Sequence, residues 1–250
     1  MSCWRWARSD PSRKVVIPLL TIDLQKAIEE ATVRLAPIVF REPLERSIRL
    51  SKRYGAEILI KREDLTEVRS FKIRGAYNRI DSMSEEERER GVVCASAGNH
   101  AQGVAFACEA LGIRATIFMP EITPTQKIDR VKHFGGELVE VRLVGDSYDD
   151  ANAAARAYCT EHRAVFVHPF DDPLTIAGKG TIGMELFAEL GGRRDLGVTG
   201  ISGGGSASGV SPALPPPRPH TRDTRRDTAR PPALHHARGQ ATGARRPTST

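Results

Sequence analysis

Beyond the first twenty or so residues, apolar positions along the chain alternate between two spacings. One recurs three and four residues apart, as on one face of a helix. The other is a short unbroken apolar run, as in a buried strand. A helix is predicted over Leu24 to Arg34, after which Pro37-Ile38-Val39 leads into Leu44-Glu45-Arg46-Ser47-Ile48-Arg49-Leu50. Glu57 to Lys61 reads as a strand and Arg62 to Arg69 as a polar loop. In Ser70-Phe71-Lys72-Ile73-Arg74-Gly75-Ala76-Tyr77-Asn78-Arg79-Ile80 the apolar positions Ile73, Ala76, Tyr77 and Ile80 define a helical face, with Ser70 as the candidate N-cap.

From there the two patterns take turns. Strands are predicted at Val92–Ala95, Ala115–Met119, Glu137–Val141 and Val165–Val167. Helices are predicted at Ala101–Leu111, Thr125–Phe134, Tyr148–Glu161 and Thr175–Leu190, two of them closed by the glycine pairs Gly135-Gly136 and Gly191-Gly192. Repeated strand–helix–strand units argue for an α/β fold with a parallel sheet and right-handed crossovers. In such folds sites form where strands run out into helix N-termini.

Composition changes this picture at one end. Residues 212–250 hold eight Pro and eight Arg and no Val, Ile, Met, Phe, Tyr or Trp. Such a segment cannot bury enough apolar surface to offset its ordering entropy, so a disordered tail is expected. Its eight arginines against two aspartates account for the whole formal charge of +6, which leaves the body of the chain balanced. A basic tail can neutralise phosphates, but without aromatic residues for stacking or a recognisable nucleic-acid fold, no nucleic-acid partner is expected. Of the four cysteines, none forms a CxxC pair, and Cys94 and Cys108 lie in apolar runs that mark them as buried small hydrophobes. No apolar run approaches the roughly 18 residues of a membrane span. The N-terminal VVIPLL makes a poor signal peptide, so a cytoplasmic location is expected.

Three stretches carry chemistry. Lys72 sits in a first helical turn beside Phe71, where the helix dipole and partial desolvation both disfavour its ammonium. That suits an amine that bonds a carbonyl carbon and later moves a proton; the alternative is an ordinary surface lysine. Ala95-Ser96-Ala97-Gly98-Asn99-His100 joins a strand to a helix and leaves backbone N–H groups free for a carboxylate or phosphate; the alternative is a plain turn capped by Asn99. Ser202-Gly203-Gly204-Gly205-Ser206 could wrap a phosphate, since no Cβ blocks close approach. It lacks both the P-loop ending and the GxGxxG register, and a linker would look the same.

Together, in this order, these stretches resemble the threonine dehydratase (threonine ammonia-lyase) family of fold-type II enzymes that use pyridoxal 5′-phosphate (PLP). The resemblance covers about Leu24 to Val210 and includes Lys61-Arg62-Glu63-Asp64-Leu65, SFKIRGA, ASAGNHAQGVA, Thr123-Pro124-Thr125-Gln126-Lys127, His168-Pro169-Phe170-Asp171-Asp172-Pro173, Ala177-Gly178-Lys179-Gly180-Thr181-Ile182-Gly183 and the SGGGS run. It implies a fold like that of tryptophan synthase β, with two α/β domains and mostly parallel sheets. The large domain would take residues 21–62 and 167–211, and a small α/β domain 63–166. A poorly ordered extension (1–20) and the tail (212–250) would flank them.

By the same resemblance Lys72 holds PLP covalently and then removes the substrate Cα proton. Phe71 packs near the cofactor and Asn99 bonds its phenolic oxygen. Ser96, Ala97, Gly98 and His100 cradle the substrate carboxylate, and Gly203, Gly204, Gly205 and Ser206 bind the phosphate. The implied reaction dehydrates and deaminates L-threonine, or L-serine, to 2-oxobutanoate or pyruvate and ammonia, in a homo-oligomer, commonly a tetramer. Serine racemases of this fold carry a second Ser where this chain has Ala97, which favours elimination.

Three departures stand out. Arg69 occupies a position where Gly is frequent, and Ser206 replaces a Leu. Residues 196–201 make a poor strand. After Val210 the family pattern ends, where family members continue for well over a hundred residues. The large domain is therefore expected to be incomplete, and this exact chain weakly active or inactive and prone to aggregate.

Overall fold

A computed structural model of the chain describes residues 22–191, 199 and 203–213. Helix α1 (Leu24–Leu35) starts at Asp23, whose carboxylate accepts from the Gln25 and Lys26 N–H groups. Those are two of the donors a helix start leaves unmet. A small antiparallel pair follows, β1 (Leu44–Arg46) on β2 (Leu59–Lys61), with α2 (Ile48–Tyr54) between them. The strand predicted from Glu57 thus loses its first residues. Ile58 donates its N–H to Ser51 Oγ and accepts from Ser47 N–H, so it closes α2 onto the pair instead of extending β2.

Next come α3 (Lys72–Asp81), α4 (Glu85–Arg90), β3 (Val92–Ala95), α5 (Asn99–Leu111), β4 (Ala115–Met119), α6 (Thr125–Gly135), β5 (Val139–Leu143), α7 (Tyr148–His162), β6 (Val165–Phe166), α8 (Pro173–Leu190) and α9 (Gly205–Ala213). The four strands β3 to β6 form one parallel sheet in the order β5-β4-β3-β6. β5 lies two residues later than expected because Gly136, at φ +52°, carries the chain out of α6 through a 3-10 turn.

β3 and β4 are buried along their whole lengths, as strands covered on both faces must be. Val92, Cys94, Ile117 and Met119 face a core that Val104 of α5 enters. Val93, Ala95 and Phe118 face the other way, against Ala151 and Ala155 of α7. The predicted α/β architecture with parallel central strands is therefore present, alongside one antiparallel pair.

α8 is the element on which the rest of the site is hung. It crosses α3 and α9 at glycines. A Cβ on Gly178 would come within 2.3 Å of Arg74 O, and one on Gly209 within 2.4 Å of Ile176 O. α9 begins inside the glycine run, at Gly205, and continues two residues into the segment expected to be tail, through Pro212 to Ala213. The N-terminal extension, most of the 196–201 segment and the tail beyond 213 lie outside the described residues. Among the described residues, no helix is long and apolar enough to cross a membrane.

Candidate active site

The turn before α3 is built by small hydroxyl residues. Thr66 Oγ1 accepts the Ser70 N–H at 2.8 Å, and Ser70 Oγ accepts the Lys72 N–H at 3.3 Å. Ser70 therefore serves the helix start as expected, although the cap position itself falls one residue later, at Phe71. Arg69 stands at φ +55°, in the left-handed region where a Cβ is crowded, which explains why glycine suits that position. Lys72 is half-buried, with Nζ 5.6 Å from the centre of the Phe71 ring and donating to Pro169 O at 3.1 Å. Desolvation holds its ammonium below the usual lysine range.

Two residues on, Arg74 anchors this turn. Its guanidinium is 1% exposed and bonds both oxygens of Glu63 at 2.8 Å, Glu185 at 2.6 and 3.1 Å, and Thr181 Oγ1 at 3.0 Å. Lys61 closes the cluster, reaching Glu185 and Glu189 at 2.7 Å. The cluster ties α3 to the loop before it and to α8, which fixes where Lys72 points.

The second stretch leaves β3 with Ser96 N–H bonded to Phe118 O, while Ser96 Oγ accepts the Gly98 N–H at 3.2 Å. Gly98, not Asn99, occupies the cap position; Asn99 is the first residue of α5, with its side chain exposed. A Cβ at Gly98 would meet nothing within 4 Å, so open space adjoins this helix start, whose first N–H groups have no intrahelical partner. Ala97 packs against the main core. His100 is buried and its Nε2 donates to Val167 O at 2.9 Å, which leaves Nδ1 as a bare acceptor without a partner among the described residues. Burial, with the nearby charges of Lys72, Lys179 and His168, pushes the imidazole down to about 3, so it stays neutral. α5 crosses the start of α3 at Gly103, where a Cβ would lie 3.2 Å from Lys72 O. Asn99, one turn earlier, shares that face.

The glycine run reaches the same neighbourhood through Phe170 and Lys179. A Cβ on Gly203 would fall 2.4 Å from the Phe170 ring, and one on Gly205 would fall 2.7 Å from Phe170 O and 2.9 Å from Lys179 Nζ. Gly204 takes φ +88° and has open space where a side chain would be. Ser206 is half-buried in the first turn of α9.

The three predicted stretches thus converge on one short segment. His100 bonds Val167, Lys72 bonds Pro169, and the glycines close over Phe170. His168 orders that segment, its Nδ1 accepting from the Phe170 and Asp171 N–H groups at 3.3 and 2.7 Å.

One member of the constellation stood out in sequence only as part of the Ala177–Gly183 stretch, with no role given to it there. Lys179 is 1% exposed, and its Nζ donates to the same Pro169 O at 2.8 Å. Burial and the neighbouring Lys72 push it down to about 7. Its signal in sequence is its setting: a lone lysine among Gly178, Gly180, Thr181 and Gly183, in a helix whose small residues imply close packing on all sides.

The open space at Gly98 and Gly204, the helix starts beside them and an amine disfavoured as a cation fit a ligand that joins an aldehyde to a phosphate. Comparison with known proteins agrees. The family described as pyridoxal-phosphate dependent enzyme matches residues 35–250. The L-threonine dehydratase biosynthetic IlvA of Halalkalibacterium halodurans is 49% identical over 180 residues, covering 72% of this chain and 43% of that protein. Its namesake in Bacillus subtilis is 46% identical over 185 residues, covering 74% and 44%. The chain therefore spans a little under half the length of these relatives. Among solved structures, the processed threonine deaminase isoform 2 of Solanum lycopersicum superposes with a TM-score of 0.75 at 38% identity, covering 81% of this chain and 55% of that one. Maize serine racemase gives 0.74 at 34% identity, covering 80% and 60%.

Proposed function

The chain belongs to the pyridoxal-phosphate dependent enzyme family, and on that premise we propose that its site serves the dehydration and deamination of L-threonine, and of L-serine, to 2-oxobutanoate or pyruvate and ammonia. The observation that carries this reading is the meeting of Lys72 Nζ and the Gly203–Gly205 run at Pro169–Phe170. When bound, PLP supplies the electron sink for a carbanion at the substrate Cα.

The remaining work falls to the chain's own residues. Lys72 Nζ, whose ammonium burial disfavours, would hold the cofactor through its aldehyde and would be the base for the substrate Cα proton. Phe71 would pack near the cofactor beside that amine, and Asn99 would hydrogen-bond its phenolic oxygen. Ser96, Ala97, Gly98 and His100 receive the substrate carboxylate at the start of α5. Because His100 is neutral, backbone N–H groups supply the attraction there. Gly203, Gly204, Gly205 and Ser206 receive the phosphate at the start of α9.

Elimination is favoured over racemisation because Ala97 places no hydroxyl beside the site. Serine racemisation remains the second reading, supported by the maize structure. The four-stranded sheet and helices α3 to α7 fall within residues 63–166, which supports the small-domain boundaries. A cytoplasmic role in isoleucine biosynthesis and a homotetrameric state complete the reading.

The test is to incubate the full chain with PLP, reduce with borohydride and map the pyridoxyl group by mass spectrometry, then assay 2-oxo acid release and the enantiomers of serine. A label on Lys72 that is lost in Lys72→Ala, with 2-oxobutanoate formed from threonine, is the expected result. A label on other residues alone overturns the site. A label on Lys72 with D-serine but no oxo acid transfers the reading to racemisation.

A further inference from the structure

We propose that Lys179 is the cationic side chain of the anion subsite at the start of α9, where its Nζ neutralises the phosphate that the Gly203–Gly205 run receives. This rests on the PLP reading of the site. Lys179 is 1% exposed, yet its one hydrogen bond among the described residues goes to a neutral carbonyl, Pro169 O. A buried ammonium in such surroundings normally has a carboxylate partner.

Here its surroundings carry the wrong sign. Lys72 shares the same carbonyl oxygen. Nζ also lies against Gly205, the first residue of α9, at the positive end of that helix. The acid within electrostatic reach is Asp172, and it is already engaged. Its Oδ1 caps α8 by accepting the Thr175 N–H at 2.6 Å, and its Oδ2 lies 3.4 Å from Arg79. The other titratable groups facing the cluster are His100 and His168, both of which burial pushes toward the neutral form.

The Lys179 amine and the helix start it lies against therefore favour an anion beside the open space at Gly204, with no committed counter-charge among the described residues. An anion completes the arrangement. The glycine run, open at Gly204 and closed by Phe170 at Gly203, suits a tetrahedral phosphate wrapped by backbone. A planar carboxylate has its own place at the start of α5.

The experiment compares PLP with pyridoxal, which has the aldehyde but no phosphate. Dissociation constants for both are measured by absorbance titration of the full-length wild-type chain and of Lys179→Gln, with borohydride mapping in parallel. A charge-assisted bond to phosphate is worth about tenfold or more in affinity. Lys179→Gln should therefore weaken PLP by about that factor and leave pyridoxal within about twofold. Equal loss of both ligands, or loss of neither, overturns the inference while a label on Lys72 leaves the PLP reading standing. A label absent from Lys72 in the wild type overturns that reading itself.

Should Lys179→Gln fail to fold, the wild-type apo chain supplies a second measurement. Sulfate, which does not titrate near neutrality, is bound at about pH 8 in two buffers of different ionisation enthalpy. An amine lying near 7 that gains an anion has its folded pKa raised, so calorimetry should show net proton uptake. Binding without uptake, or no binding, overturns the inference.

Discussion

Replacing Arg74 with Met removes a buried charge while keeping most of the aliphatic stem. Five hydrogen bonds are lost, four of them to the carboxylates of Glu63 and Glu185. Glu185 keeps Lys61 at 2.7 Å, but Glu63 is left with no cation bonded to it among the described residues. Breaking a buried pair from one side costs about 3–5 kcal/mol because a charge is stranded, a large share of the roughly 5–15 kcal/mol that holds a domain together.

The pH dependence separates this cause from lost packing. Burial already holds Glu63 above the usual carboxylate range even with Arg74 opposing it, and without Arg74 it rises further. A carboxyl with a raised folded pKa holds its proton more tightly folded than unfolded. Its destabilising effect is therefore full above the raised value and is relieved as pH falls through it. In the wild type Glu185 behaves oppositely. Burial raises it, but the bonds from Arg74 and Lys61 outweigh that and hold it low. Its contribution is present above its unfolded pKa and is lost as pH falls through the lowered folded value. The Glu63 effect narrows the gap between variant and wild type as pH falls from neutrality, and the Glu185 effect adds to it only below its unfolded pKa. Urea unfolding followed by far-UV circular dichroism at about pH 7 and pH 5 should give a deficit near 3–5 kcal/mol at the higher pH and a clearly smaller one at the lower. A deficit under about 1 kcal/mol, or one equal at both pH values, would refute the stranded-charge account.

Other expectations follow from single contacts. Gly178→Ala would place a Cβ 2.3 Å from Arg74 O, a backbone atom that cannot swing aside; over-packing of about 1–3 kcal/mol is expected, and an unchanged thermal midpoint would argue against so close a helix crossing. Arg69→Gly relieves a left-handed residue at φ +55°. The roughly 1–2 kcal/mol of strain removed slightly exceeds the entropy glycine adds, so denaturant titration should show a gain of up to about 1 kcal/mol, and a loss would contradict the strain. Cys94 and Cys108 are fully buried and burial pushes both thiols up, while the half-buried Cys159 is raised to about 11. Iodoacetamide at about pH 8 should alkylate Cys94 and Cys108 only when denaturant is added, and peptide mapping that finds them modified in the native chain would contradict their burial.

Much of the chain was legible without coordinates, because element type here is a local property. The unbroken apolar runs at Val92–Ala95 and Ala115–Met119 became the two fully buried strands. The Gly191 that closes the pattern over Thr175–Leu190 is the left-handed cap of α8. Lys72, the Gly98 turn and the glycine run each had an ordinary alternative when taken alone; it was their occurrence together and in order, as a family resemblance, that marked them. Boundaries drifted where a bond from elsewhere competed, as at Ile58, or where a glycine delayed a strand, as at Gly136.

What the sequence by itself determined is the order of the elements and the three loops with chemical potential. The tertiary structure alone decided that all three meet at residues 167–170, that Arg74 anchors the Lys72 turn through Glu63 and Glu185, and that Lys179 is a second buried amine beside the first. The reason is physical. Periodicity and capping act within a few residues of the chain, whereas burial and charge pairing depend on which distant segments pack over a side chain. That is settled only when α3, α5, α8 and α9 close on one another.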